Sequence, residues 1–221
     1  MTDSGSDSDP GFEGRASPPV PIALRAGAAL FNEGHVLAAH DPWEAAWLPL
    51  TDGRDERLLH GLIAAAAATH HAAHHNWSGA VGCADNAVTY LGDAGAAPRG
   101  VDSLPVREWC QRLAADPVVI ERSSPPSIRI EEATPRFDDL GLSAARLAVP
   151  GLADAIEPGD AAAFETAVEL AREEEGTART TFTELLFAFL RSPDARPQVA
   201  ARLADHVELA TRKRRDVDDL F

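Results

Sequence analysis

The chain has very little lysine, methionine and cysteine. Lys213 is the only lysine among 20 basic residues, and there is one methionine. The two cysteines, Cys83 and Cys110, cannot supply the disulfide framework that stabilises small secreted domains. Both follow apolar helical spacing, so we expect them to be buried small hydrophobic residues. The N-terminus is polar and acidic and has no apolar leader, which predicts a cytoplasmic protein.

Positive charge is also scarce. The 35 acidic residues outnumber the 20 basic ones and give a net charge of -15. Such a surface repels nucleic-acid phosphate and anionic lipid, so we expect neither nucleic acid nor a membrane as a partner. An acidic, lysine-poor, alanine-rich composition suits a salt-loaded cytoplasm and predicts a halophilic, haloarchaeal source. A GC-rich genome with ordinary acidity is the alternative.

Charge is missing altogether between residues 58 and 84, which contain no Asp, Glu, Lys or Arg. Seven of the eight histidines fall between His35 and His75, and five of them lie in this charge-free segment. The segment is too rich in alanine and histidine for a lipid-facing helix, so a central core helix explains it better. Imidazoles are therefore the ionisable groups of the most apolar part of the chain, and function is expected there.

Apolar residues recur at helical spacing along most of the sequence, which predicts an all-α protein. We expect a disordered acidic tail over 1–20, a compact antiparallel helical bundle over 21–122, an irregular linker over 123–160, and an additional C-terminal helical unit over 161–221 that packs on the bundle. The predicted helices span 21–33, 35–48, 56–75, 80–91, 104–115, 161–175, 180–191 and 197–215. Ile128-Arg129-Ile130 alternates like a short strand without an evident partner.

His40 and Glu44 are the first candidates for a functional site. Four residues apart on a helix, they project from the same surface, which suits a divalent metal or an acid/base pair. Trp43 and Trp47 would wall such a site. In the structural alternative, Glu44 caps a helix and His40 is a hydrogen-bonded core histidine. Pro42 either kinks this helix or restarts it, with Asp41 as cap and Glu44 closing a capping box.

The central helix carries the other histidines. His60 and His71 are eleven residues apart, about 16 Å along the axis, too far to share one ion. His70 with His74, and His71 with His75, have chelating spacing. Solvated rings at a helix end explain His70, His74 and His75 more simply, whereas His71 lies on the alanine-rich face and is expected to be buried against another helix.

Several of these residues form an ordered set of motifs. They are Phe31-Asn32-x-Gly34, then His40-x-x-x-Glu44-x-x-Trp47, then Gly61-Leu62-Ile63, then Asn76-x-x-Gly79-Ala80. The set resembles domain-of-unknown-function family 309, small all-helical prokaryotic proteins, over about 21 to 117. His71 matches the histidine that precedes the family's Asn-x-x-Gly-Ala. Asp41 stands where the family usually has Glu, and Pro42 where it has a helix former. The resemblance implies a compact helical bundle and no established activity.

The sequence leaves two classes of function open. The first is a non-enzymatic interaction or small-ligand-binding module, with a protein partner or a second copy of the chain bound. The second is a divalent-metal-binding protein or metal-dependent hydrolase that holds zinc, manganese or iron through His40, Glu44 and His71. The absence of a complete catalytic constellation favours the first. The candidate pocket comprises Asn32, His40, Asp41, Trp43, Glu44, Trp47, His60, His71 and Asn76.

Overall fold

The computed structural model describes residues 17–157 and 159–218, without side chains at 217 and 218. Residues 1–16, most of the predicted tail, lie outside the described residues. Within the described ranges the chain forms nine α-helices and one pair of short strands, which confirms the all-α prediction. The helices are α1 (Val20–Asn32), α2 (His40–Trp47), α3 (Arg54–Ala73), α4 (Trp77–Asp93), α5 (Leu104–Ala115), α6 (Leu142–Ala155), α7 (Ala161–Glu173), α8 (Thr181–Arg191) and α9 (Arg196–Asp218).

Helices α3 and α4 form a close antiparallel pair at the centre of the bundle. Only a short turn separates them, and their most intimate contact is at Gly61, where an added Cβ would lie 2.7 Å from the Leu91 side chain and 3.0 Å from its backbone nitrogen. The small residues Ala64, Ala65 and Ala68 are buried on the same helix. The part of the charge-free segment that lies in α3 is therefore a packed core element. Among the described helices, none combines the length and the hydropathy that a membrane span requires.

Helix α5 packs on this pair through one buried polar contact. The Trp109 indole Nε1 donates to Thr69 Oγ1 at 3.0 Å, and Thr69 Oγ1 donates to the Ala65 carbonyl at 2.8 Å. Both Trp109 and Thr69 are buried. Because a buried donor without an acceptor is costly, this chain of bonds fixes how α5 sits on α3.

The predicted strand pairs with the segment before α5. Strand β1 (Val101–Asp102) and strand β2 (Arg129–Ile130) are antiparallel, with Val101 opposite Ile130 and Asp102 opposite Arg129. Val101 and Ile130 face the core, whereas their neighbours are exposed. This small ribbon ties the chain beyond α5 back to the bundle.

The prediction of an irregular linker over 123–160 is wrong for its second half, because α6 occupies it. Pro150 and Gly151 lie inside this helix, although both residue types are typical of loops. The structure explains the glycine: a Cβ there would meet Asp41 Oδ2 at 2.9 Å and the Ala38 carbonyl at 3.1 Å. Helix α6 thus approaches α2 so closely that no side chain fits, and it also packs on α1, α7 and α8.

Two charged side chains organise the C-terminal helices. Arg146 of α6, 7% exposed, donates to the Ala171 carbonyl and to Glu175 Oε1, each at 2.6 Å. The Glu174 carboxylate accepts from the backbone nitrogens of Phe182 and Thr183, each at 3.1 Å. A carboxylate on free N–H groups at a helix start caps the helix and complements its dipole. These contacts position α8 relative to α6 and α7.

Candidate functional site

The sequence suggested that Trp43 would wall a pocket, but in the structure it does not. It is fully buried between α1 and α2, where its ring lies 6.4 Å from that of Phe31. An added Cβ at Gly27 would fall 2.3 Å from the indole Nε1, so this glycine makes room for the ring. The Nε1 has no hydrogen-bond partner among the described residues. Trp43 is a core residue that joins α1 to α2.

His40, Asp41 and Glu44 lie on the outer side of α2. The His40 Nδ1 is 3.6 Å from Glu44 Oε2 and 4.0 Å from Asp41 Oδ1. The side chains are 29%, 61% and 44% exposed for His40, Asp41 and Glu44. The helix starts at His40 rather than being kinked at Pro42, and Asp41 is not its cap, because Ala39 holds that position without a side-chain bond. The predicted pair exists, but it faces solvent.

The Asp41 carboxylate lies against α6 as well as beside His40. Desolvation by this packing raises the pKa of Asp41, and nearby Asp154 and Glu44 act in the same direction while His40 opposes them. An ionised Asp41 is therefore less favourable in the folded protein than in the unfolded chain. The carboxyl groups of Asp41, Glu44 and Asp154 therefore lie near one another where α2 and α6 meet.

Trp47 and His60 come together in a second cluster, on the side of α3. The Trp47 Nε1 donates to Glu56 Oε1 at 3.0 Å, and His60 Nδ1 lies 3.3 Å from the same oxygen. The His60 ring stacks on Tyr90 of α4 with centroids 3.8 Å apart, and it lies 4.8 Å from the Trp47 ring. Three helices are joined here by one half-buried imidazole between two aromatic rings.

Glu56 and Tyr90 were missed by sequence reasoning, although each carried a signal. Glu56 precedes His60 by four residues, the spacing that drew attention to His40 and Glu44. Tyr90 is the only tyrosine of the chain, one residue before Leu91, the side chain that packs on Gly61. That Tyr90 stacks on His60 follows from the approach of α4 to α3, which the spacing of residues in the sequence does not give.

His71 and Asn76 build the turn between α3 and α4. The Asn76 Oδ1 accepts from the Gly79 backbone nitrogen at 3.2 Å, which caps α4, and its Nδ2 donates to His71 Nδ1 at 3.3 Å. A Cβ at Gly79 would lie 2.7 Å from Asn76 Nδ2 and 3.1 Å from His71 Cδ2. The histidine and the Asn-x-x-Gly motif therefore interlock, and His71 is half-buried in this turn rather than enclosed by another helix.

Asn32, at the end of α1, holds a distant loop. Its Oδ1 accepts from the Ile128 nitrogen at 2.7 Å, and its Nδ2 donates to the carbonyls of Ile128 and Pro135, each at 3.0 Å. Both N–H donors of the amide side chain and one of the two lone pairs of its oxygen are used here. Asn32 fixes the segment before and after β2 onto α1.

The candidate pocket residues thus fall into separate groups instead of converging. No group of three or more His, Cys, Asp or Glu side chains in the described part of the chain is arranged to hold a metal ion. His71 is engaged by Asn76, while His40 and Glu44 face solvent on α2. The structure therefore does not bring His40, Glu44 and His71 together as ligands of one zinc, manganese or iron ion, which corrects the expectation from the sequence.

These contacts define an all-helical protein whose motif residues lock α1 to α4 together. Comparison with known families agrees: residues 24–83 match the family described as Domain of unknown function (DUF309). The matched segment covers most of α1, all of α2 and α3, and the first part of α4. No curated protein matches the sequence of the chain.

Proposed function

We propose that this protein is a non-enzymatic interaction module that binds a cationic, amphipathic helix of a partner protein on its α2 surface. The α2 surface consists of Leu37, His40, Asp41, Glu44 and Leu48. The observation that carries the proposal is the exposure of two large apolar side chains there, Leu37 at 50% and Leu48 at 53%, with two carboxylates between them.

The other motif side chains have internal partners. Trp47 and His60 share Glu56, Asn32 holds the 128–135 loop, and Asn76 engages His71 and Gly79. These groups account for the fold of the matched segment. The α2 surface is different because its apolar side chains remain unburied, and exposed apolar side chains beside polar ones are typical of interaction sites.

The chemistry of the surface specifies the partner. Leu37 lies in the turn before α2 and Leu48 directly follows the helix, so the two leucines stand at opposite ends of α2 and can each contact an apolar position of a docked helix. Asp41 and Glu44 lie between them and pair best with Arg or Lys. A net charge of -15 also attracts a cationic segment at long range and accelerates its association.

Peptide titration tests this proposal. Two helical peptides share a leucine stripe and carry either Arg or Glu at the flanking positions, and binding to the full chain is followed by fluorescence anisotropy. We expect the Arg peptide to bind, with an affinity that falls as salt rises. Leu48→Ser should weaken it roughly five- to tenfold, since about half a leucine side chain would be buried.

Leu104→Ser is the matched control, because Leu104 is 58% exposed on α5, away from the α2 surface. It should leave the affinity unchanged. Equal binding of the Arg and Glu peptides, or equal weakening by Leu48→Ser and Leu104→Ser, would overturn the proposal.

We further propose that the module works in a salt-rich cytoplasm, in a haloarchaeal-type protein that carries the helices after the matched segment as an extension. The excess of acidic residues supports this, because mutual repulsion of carboxylates is relieved when salt screens it. The free energy of unfolding should rise with KCl from the millimolar to the molar range. A free energy that falls over this range would contradict a halophilic protein.

A further inference from the structure

We infer that His70 and His74 form a bidentate site for a transition-metal ion of the imidazole-preferring class, Cu²⁺, Ni²⁺ or Zn²⁺, at the C-terminal end of α3. This goes beyond the proposed function and uses none of the α2 surface. The two rings lie one helical turn apart, with centroids separated by 4.1 Å and planes inclined by 37°.

Hydrogen bonding fixes the tautomer of one ligand. The His74 Nδ1 lies 2.9 Å from the His70 carbonyl oxygen, and a carbonyl can only accept, so Nδ1 carries the proton. In the neutral ring this leaves the lone pair on Nε2, directed away from the backbone. Histidine ligands of metals commonly donate their other ring N–H to a backbone carbonyl in this way, which orients the ring and increases its basicity.

The distance between the rings suits a shared ion. Bonds from zinc to imidazole nitrogen are about 2.0–2.1 Å, and histidines at i and i+4 on one helix are a chelating pair. Rings with centroids 4.1 Å apart can both reach one ion after a small rotation. His74 is exposed and His70 is half-buried, so an ion can enter from solvent without any opening of the core.

The residues around His70 and His74 determine how favourable a positive charge is at this position and how many protein ligands the ion can have. A cation at this position lies at the C-terminal end of α3, where the helix dipole favours positive charge. His71 is not a third ligand through Nδ1, because that nitrogen accepts from Asn76 Nδ2. His75 stacks on Trp77 with ring centroids 4.9 Å apart and faces Glu121 at 3.7 Å. The ion therefore keeps further coordination positions for water or an external ligand.

Copper binding by the chelator-treated, tag-free full chain tests the inference, because divalent copper binds nitrogen ligands most tightly in the first-row series. We expect one equivalent of Cu²⁺ by calorimetry and hyperfine coupling from two imidazole nitrogens in the EPR spectrum. His70→Asn and His74→Asn should each weaken binding at least tenfold. Circular dichroism should show that both variants remain folded, and His70→Gln provides a second variant at that position.

His75→Asn is the matched control. His75 is an exposed neighbour with φ of 58°, a left-handed conformation that asparagine also tolerates. It should keep the wild-type affinity within about twofold. If it weakens copper binding as much as His70→Asn does, or if both His70 and His74 variants bind copper as the wild type does, the inference is overturned. Peptide binding at the α2 surface, measured with a chelator present, should be the same in all these variants.

Discussion

The Trp47 indole and the Glu56 carboxylate are joined by a 3.0 Å hydrogen bond that links α2 to α3. The Glu56 side chain is only 16% exposed, and the oxygen that accepts from Trp47 also faces His60. One acceptor atom therefore serves two donors from different helices. The contact explains why a glutamate lies in the first turn of a helix whose later part has no charged residue.

Glu56→Ala should reduce the free energy of unfolding by about 1–2 kcal/mol, because two partly buried donors lose their acceptor. Glu56→Gln keeps a carbonyl oxygen and should lose less than half as much. Urea unfolding followed by tryptophan fluorescence measures both. If the alanine and glutamine variants unfold at the same urea concentration as the wild type, the bond does not stabilise the fold.

Gly61→Ala should destabilise the protein by about 1–3 kcal/mol, because the new methyl group overlaps Leu91 and α4 must move away. Gly82→Ala in α4 is the control, since a Cβ there meets nothing within 4 Å. That change should be neutral or stabilise by up to about 1 kcal/mol, through the better helix propensity of alanine. Thermal unfolding measures the stability of both variants. Equal effects of the two substitutions would contradict the close approach of α3 and α4.

Much of the fold follows from the sequence because helix periodicity is a local property. The spacing predicted α5 with both of its bounds, and α1 to within a residue. Helix α6 was missed because Pro150 and Gly151 are typical of loops. The reason for Gly151 is the close approach of Asp41 on α2 and of Ala38 in the turn before α2. A close approach between segments that are distant in the sequence produces no local sequence pattern from which it could be predicted.

The same limit applies to the candidate site. Pairs within one helix were found, as with His40 and Glu44, whose Nδ1 and Oε2 atoms lie 3.6 Å apart. Which way a helix face points depends on packing, so the spacing of His71 did not reveal that Asn76 would engage it. Trp43 was expected beside His40 but turns into the core, where Gly27 makes room for it. The residue types in the sequence indicated which segment carries the candidate site, but only the structure shows which of these side chains contact one another.

Cys110 should react with alkylating reagents only when the protein unfolds. Burial raises the pKa of the Cys110 thiol to about 12, so almost no thiolate forms near neutral pH, and the side chain is fully buried. The pKa of Cys83 is also raised by burial, but this side chain is partly exposed. Native alkylation with iodoacetamide, read by mass spectrometry, should label Cys83 roughly a hundredfold faster or more. Comparable rates would show that α5 is not packed as described, and Cys83→Ser isolates the Cys110 signal.

Asp41→Asn should stabilise the protein slightly at neutral pH, by about 0.5 kcal/mol or less, given how exposed much of this side chain is. The pKa of Asp41 is raised in the folded protein, chiefly by desolvation against α6. Stability is therefore lost as pH rises from the unfolded pKa near 3.9 through the folded pKa, and the loss is complete at neutral pH. The gain from Asp41→Asn should be present at pH 7 and vanish below about pH 4.

Asp55 provides the comparison of opposite sign. Its hydrogen bonds from Arg99 lower the pKa of the carboxyl, so its contribution is present above the unfolded pKa and is lost as pH falls through the folded pKa. Asp55→Asn should therefore destabilise at neutral pH, with a difference from wild type that disappears in acid. Urea unfolding of both variants across this pH range measures the two effects together. If Asp41→Asn also destabilises at neutral pH, the carboxylate is favoured on the α2 surface, and the desolvation by α6 described above is wrong.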